Sequence, residues 1–399
     1  MSATAGPTPA HERSGLVDVL RALALLGILV VNLEFLASTV DEGWARPEFD
    51  GALDRAARAA VVALLQLKSY LVFALLFGYG AAAMLARAGD AAFRPRYLRR
   101  MAALAVVGVL HATLLFAGDI LLSYAVLGLL LLPARHLPTR RLLSLAGVTY
   151  AAGAGLMVML ALLVATGEPA VPSDAADVYA DGSFLDVVGQ RLAEWPAVLL
   201  VLVFVQWPGA LAMFLVGMAM QRAGVLDRPT EARGLLRRVV RIGLPLGLAG
   251  GVCAGALTLV AGDEQTGAAA GLGLLVQSLA APALALAYVG LAGLAAPTRP
   301  WRRLQRALGP LGRMSLTAYL AESLVCSLLF NGYGLGWYGD VGPAASLVVA
   351  LVVWAALAVL AAAWFRAFEQ GPVEWLLRWA TYARRPRLRR ASPAAGVVP

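Results

Sequence analysis

Apolar runs of about 20 residues recur from one end of this 399-residue chain to the other. The hydrocarbon core of a bilayer is about 30 Å thick and takes roughly 20 apolar residues per helix. Reading for such runs gives about ten: 16–37, 62–86, 98–117, 119–133, 142–166, 197–220, 239–261, 268–296, 314–332 and 344–366. Hydrocarbon offers no water to satisfy peptide groups, so runs of this kind must form helices. The predicted fold is all-α: a polytopic membrane helix bundle of about ten transmembrane helices, occupying 16–366. The fourth run is short, and the third and fourth form a hairpin closed by Ala117-Gly118. With 60% hydrophobic and 14% charged residues, the chain is far from the roughly 45–50% and 25% of soluble domains. That excludes both a water-soluble multidomain enzyme and a disordered chain.

The connections alternate in sign. Arginines follow the second, fourth, sixth and eighth runs, as in Arg94–Arg100, Arg135–Arg141, Arg222–Arg238 and Arg299–Arg306, and crowd the tail at Arg384–Arg390. The remaining loops carry Asp41, Glu42, Glu48, Asp50 and Asp54, then Glu168, Asp174, Asp177, Asp181 and Asp186, then Asp263 and Glu264. Positive-inside sorting puts both termini in the cytoplasm, which makes this a multi-pass protein of the inner (plasma) membrane. It also accounts for the net charge of +9 without a nucleic-acid partner; the implied partner is the lipid bilayer. The first run is longer than a signal-peptide core, carries Asp18 and Arg21, and lacks a small-x-small cleavage site. Residues 1–15 read as a cytoplasmic tail. The segment 367–399 reads as an interfacial helix, with Pro372, Trp375, Arg378 and Trp379, followed by a basic tail. Cys253 and Cys326 lie inside apolar runs as small hydrophobes.

Ionisable groups inside a bilayer are costly and mark functional candidates. The first run holds Asp18, Arg21 and Glu34, with Asn32 as a neutral companion. Asp18 and Arg21 are three residues apart and can pair, structurally or functionally. Asn32 follows Arg21 by eleven residues, about 16 Å of rise on one helix face; it could equally be interhelical hydrogen-bond glue. Histidine is scarce: His11 in the tail, His136 in a basic loop, and His111 inside the third run. Across the Ala117-Gly118 turn, His111 and Tyr124 fall at similar depth, with Asp119 above them. An Asp–His–Tyr grouping gives an oriented imidazole able to act as a general base; a helix cap at Asp119 is the plainer alternative. Arg100 precedes His111 by eleven residues. Lys68, the sole lysine, either snorkels to the outer interface or is buried as a partner of Glu34. Glu322 lies eight residues into the ninth run and is expected to be paired, with Lys68 or Arg313 as candidates. Gly78 and Gly80 suit close helix packing. No metal-ligand cluster, P-loop or G-x-S-x-G motif is present, and no permanently bound cofactor is implied.

The segments VDVLRALALLGILVVN, KSYLVFALLFGYG, LHATLLFAGDILLSYAVLGLLLL, LGRMSLTAYLAESLVCSLLFNGYGLG and FEQGPVEWLLRWATY resemble the domain-of-unknown-function 418 family, the YeiB-like membrane proteins. The resemblance covers the chain, with a C-terminal family block at about 230–385 in which Ala318 and Glu322 stand where amides are expected. That family is more distantly similar to transmembrane acyltransferases, which move an acyl group from cytoplasmic acyl-CoA to an acceptor on the far side. Acyltransferase-3 proteins carry an arginine and a histidine in the first span; Arg21 matches, while Asn32 stands at the histidine position. The glucosaminide acetyltransferases have asparagine there and a catalytic histidine eleven residues on, where this chain has Gly43.

Two functions remain open from the sequence. In the first, acyl-CoA is a co-substrate held by Arg21, Arg100 and neighbouring arginines. His111 then deprotonates a cell-envelope acceptor, Asp119 orients the imidazole, and Tyr124 donates to the oxyanion. In the second, Lys68, Glu34 and Glu322 serve a proton-coupled transporter or exporter of a small or lipid-linked molecule. A non-catalytic membrane scaffold is the third possibility.

Overall fold

The computed structural model describes residues 15–38, 47–167, 175–262 and 266–390. His11, Asp41, Glu42, Gly43, Glu168, Asp174, Asp263 and Glu264 lie outside the described residues. Among the described residues the fold is helical and holds no strand, only an isolated bridge between Phe368 and Arg389. In chain order come α1 (Gly15–Leu36), α2 (Ala52–Leu64), α3 (Lys68–Leu114), α4 (Leu121–Leu129), α5 (Leu131–Ala134), α6 (Thr139–Thr166), α7 (Ala175–Asp181) and α8 (Phe184–Val201). There follow α9 (Trp207–Arg222), α10 (Arg233–Ala261), α11 (Gly267–Ala295), α12 (Arg299–Arg313), α13 (Ser315–Phe330), α14 (Pro343–Ala367) and α15 (Pro372–Tyr382). A π-helical turn, Leu202–Gln206, joins α8 to α9.

Among the described residues seven helical segments are long and apolar enough to cross a membrane, and the pair α12–α13, bent by 76°, makes an eighth if it is one span. The expectation of about ten is not reached on this measure, for two physical reasons. The second and third runs are joined in one 63-residue helical segment, Ala52–Leu114, interrupted only by short breaks. The fourth run folds as α4 and α5, of 9 and 4 residues, each too short alone for a hydrocarbon core.

Helix α3 is not straight. At 47 residues a straight helix would be about 70 Å long, but Gly89 takes φ 67° and breaks it, a conformation open to glycine at little cost. Its two halves return to the same neighbour. The Tyr124 hydroxyl of α4 donates to the carbonyl of Tyr70 in the first half at 2.9 Å, while Gly108 in the second half packs against the Leu122 backbone. Glycine at position 78 lets α3 touch α9, since a Cβ there would run into the Phe214 carbonyl. A Cβ on Gly80 would meet only the Arg21 guanidinium, at 3.9 Å, and Gly80 faces a cavity instead.

The contacts sort the connections into two ends, as their charge anticipates. At one end Arg135 Nε donates to Asp90 at 2.7 Å, Arg222 reaches the carbonyls of Leu137 and Arg135, and Arg313 donates to Glu369 O at 3.2 Å. Gly15 packs there against Gln305, so the start of α1 meets α12 at this arginine-rich end. At the opposite end Ala344 N donates to Asp54 at 2.9 Å, Gly332 N to Tyr179 O at 2.9 Å and Arg58 to Gly262 O at 2.9 Å.

Candidate functional site

The last turn of α3 carries His111, and the chain leaves that helix through a six-residue turn into α4. Asp119 in this turn does two things. Its Oδ2 accepts from Leu122 N at 2.8 Å, capping the start of α4, and its Oδ1 lies 2.8 Å from His111 Nδ1. Gly108, one turn before His111, makes this possible: a Cβ there would lie 2.8 Å from the Asp119 carboxylate and against the Leu122 amide. His111 and Asp119 are only 2% and 3% exposed. A carboxylate can only accept, so Nδ1 is the donor of this bond, and in a neutral imidazole Nε2 is the nitrogen with the lone pair. Nε2 is buried and meets no hydrogen-bond partner among the described residues. The Tyr319 ring of α13 lies against the imidazole, centroids 4.8 Å apart, and its buried hydroxyl makes no hydrogen bond of good geometry.

Tyr319 also walls a cavity of about 500 Å³. The cavity opens at the arginine-rich end, where Arg21, Arg87, Arg100, Arg313 and Arg378 line it beside Asp18, Asp227 and Glu374. Most of these groups are held by neighbours. Arg21 pairs with Asp18 at 3.2 Å, and Asp227 accepts from the Tyr79 hydroxyl. Glu374 of α15 accepts from Leu316 N at 2.7 Å and Thr317 N at 3.1 Å, so it caps α13 from outside the helix. Burial pushes the Glu374 carboxyl above the usual glutamate range, opposed by its hydrogen bonds to Thr317 and Leu316. Arg100 is half-buried and makes no hydrogen bond or ion pair with the described residues. Deeper, the wall turns apolar at Ile28, Phe73, Leu104 and Ile120, and includes Tyr124 and Tyr319. Along α3 the lining runs from Arg87 to Phe73, fourteen residues or about 21 Å of rise. His111 and Asp119 are not in the wall; they lie behind Tyr319 and Ile120.

The structure thus joins His111 to Asp119 and brings Arg21, Arg100 and Tyr124 to one cavity, but it changes several expected partnerships. Tyr124 does not serve the imidazole: its hydroxyl is engaged by Tyr70 O, and its ring packs among Phe73, Phe77 and Phe214. Tyr319 takes that place. Lys68 neither snorkels nor pairs with Glu34 or Glu322. It is fully buried at the break between α2 and α3, where Nζ donates to Val62 O at 2.7 Å. The break, with Leu67 at φ 63°, frees the carbonyl that the ammonium meets. Glu322 is 2% exposed, and neither carboxyl oxygen has a hydrogen-bond partner among the described residues. Arg313, its other expected partner, instead stacks over Phe365 at 4.0 Å. Asn32 and Glu34 lie in the last turns of α1, away from the cavity wall. Sequence reasoning missed Arg191 of α8, which is 3% exposed and donates to Leu114 O at 2.7 Å. It holds the last turn of α3 just beyond His111, and its position in a predicted loop concealed it. Tyr319 had one signal, its place three residues before Glu322.

These features define a multi-pass helical membrane protein with a buried Asp–His pair behind an arginine-mouthed cavity. Residues 220–384 match the family described as "Protein of unknown function (DUF418)". The chain is 32% identical to the uncharacterized protein YxaH of Bacillus subtilis (strain 168), over 94% of this chain and 96% of that one. It is 31% identical to the uncharacterized protein YeiB of Escherichia coli (strain K12), over 96% and 98%. The chain belongs to the DUF418, YeiB-like family. No solved structure matches it.

Proposed function

We propose that the protein transfers an acyl group from acyl-CoA, entering the arginine-mouthed cavity, to a cell-envelope acceptor. The observation that carries this reading is the buried Asp119–His111 pair with its unpartnered Nε2 behind the floor of that cavity. Arg100, which has no partner of its own, suits a phosphate of the donor. In the reaction His111 Nε2 takes the proton of an acceptor O–H or N–H as that atom attacks the thioester carbonyl. The Tyr319 hydroxyl donates to the oxyanion of the tetrahedral intermediate. The C–S bond then breaks, and the leaving thiolate takes the proton back from the imidazolium. Asp119 stays ionised throughout and stabilises the charged ring. In this reading the protein lies in the plasma membrane, the arginine-rich end and both termini face the cytoplasm, and each half of α3 and the α4–α5 pair cross the bilayer to give ten spans.

Calorimetry with acetyl-CoA on the purified protein tests the donor half: saturable binding weakened by Arg100→Ala is expected. Absence of binding by acetyl-CoA and longer acyl-CoAs would sink the proposal, as would acyl transfer that survives His111→Ala. A second reading, proton-coupled transport, is favoured by the buried Lys68 at a helix break and by the unpartnered Glu322. Uptake into proteoliposomes that follows a proton gradient and vanishes in Glu322→Gln would select it.

A further inference from the structure

We infer that the exposed face of α12 is a docking surface for the phosphate headgroups of anionic phospholipids. The helix reads RPWRRLQRALGPLGR. Arg299, Arg302, Arg303 and Arg306 are all exposed, and their spacing of i, i+3, i+4 and i+7 sets them in one row about 10 Å long. The opposite face buries Trp301, Leu308 and Leu311, against α1 among others. Because α12 turns 76° away from α13, it lies across the arginine-rich end of the bundle and not along its axis.

The row differs from the other arginines of that end. Arg135, Arg222 and Arg313 each bond a carboxylate or backbone carbonyl of the protein, whereas none of the four on α12 makes a hydrogen bond or ion pair with the described residues. Their i,i+3 and i,i+4 spacings set like charges side by side, which destabilises a helix unless anions lie over them. Positive-inside sorting asks only for charge near a span; it asks for no row on one face. Guanidinium groups bind phosphate in a two-point fork, and basic residues at a membrane surface are attracted to anionic headgroups. At the same end α15 exposes Leu376 and Trp379, side chains suited to the boundary between headgroup and acyl chain. Charge and apolar exposure at one end of the bundle fit an amphiphile better than a free polyanion. The surface also adjoins the cavity: Gly312 at the end of α12 packs against the Asp18 carbonyl, and Arg313 lines the mouth.

The test uses the full chain in neutral detergent, and its outcome does not depend on acyl transfer. Thermal unfolding is followed while phosphatidylglycerol, phosphatidylcholine of the same chains, or inorganic phosphate is added. Phosphatidylglycerol is expected to raise the midpoint saturably, and the other two to leave it unchanged. The variant with Arg299, Arg302, Arg303 and Arg306 all changed to Gln should need at least about tenfold more phosphatidylglycerol for half the effect. Arg302→Gln with Arg303→Gln serves if the fourfold variant does not fold, with a smaller shift in the same direction. Equal responses to the two lipids, the same response to inorganic phosphate, or an undiminished response in the variants would each overturn the inference.

Discussion

Asp119 holds both the imidazole of His111 and the first free amide of α4, so two substitutions at this position separate its roles. Asparagine keeps a carbonyl oxygen for Leu122 N, and asparagine and aspartate cap helices about equally well. It loses only the charge on the bond to Nδ1, about 1 kcal/mol given that charge-assisted hydrogen bonds are roughly twice as strong as neutral ones. Alanine removes the cap, about 1 kcal/mol, and leaves the buried His111 Nδ1–H without an acceptor, about 1–3 kcal/mol more. Asp119→Ala should therefore destabilise the protein by about 2–4 kcal/mol against about 1 kcal/mol for Asp119→Asn, read as the order of thermal midpoints in one detergent. The order reverses nothing in catalysis, where both are damaging. The asparagine amide donates, so it draws the lone pair to Nδ1 and the proton to Nε2. A base locked in the wrong tautomer loses about 10³–10⁴-fold in rate. Equal midpoints for the two variants would show that the pair does not hold the hairpin. An undiminished transfer rate in Asp119→Asn would show that His111 is not the base.

Gly78→Ala should cost about 1–3 kcal/mol by forcing α3 from the Phe214 carbonyl, while Gly80→Ala, whose Cβ meets only the Arg21 guanidinium in ordinary contact, should stay within about 0.5 kcal/mol; both are read by thermal unfolding. Lys68→Met keeps the length of the buried stem and removes a charge met by one carbonyl, so its midpoint should stay within about 1.5 kcal/mol of wild type. Lys68→Ala leaves a cavity and should cost about 2–5 kcal/mol. Docking of α15 should weaken as pH rises. Burial raises the Glu374 carboxyl when α15 is in place, so the docked helix keeps a proton that the released helix gives up. That stabilisation is complete below the ordinary glutamate value and is lost as pH rises through the raised one. Amide exchange across 372–382 should accelerate over that interval, and Glu374→Gln should flatten the dependence.

The His111–Asp119 contact was legible in the sequence because it follows from the run lengths and the position of one turn. Those place His111 and Asp119 on either side of one short turn, and local distance did the rest: eight residues through a helix end leave few ways for a buried imidazole and a capping carboxylate to avoid each other. The same reasoning failed for Tyr124. A helix residue at the correct height can point to any azimuth, and azimuth is fixed by packing with helices remote in sequence. Here Phe77 and Phe214 turn Tyr124 toward the first half of α3. Tyr319, about two hundred residues further along, fills the face of His111 that remained.

Lys68 and Glu322 fail for a related reason. Pairing buried opposite charges is the cheapest arrangement in the abstract, but it presumes that the side chains can meet. A break such as Leu65–Leu67 changes the alternatives, because an unwound turn supplies carbonyl oxygens inside the bundle. A lysine beside its own helix break needs no carboxylate. That leaves Glu322 buried beside Tyr319, one turn along α13 from the residue that contacts His111. Three unsatisfied polar groups, His111 Nε2, the Tyr319 hydroxyl and the Glu322 carboxyl, therefore sit along one junction between α3 and α13. Buried groups of this kind are rare in a stable fold unless something else completes them. Their concentration beside the cavity floor, while the structural caps at Asp119, Arg191 and Glu374 are satisfied, is what separates this junction from ordinary helix packing.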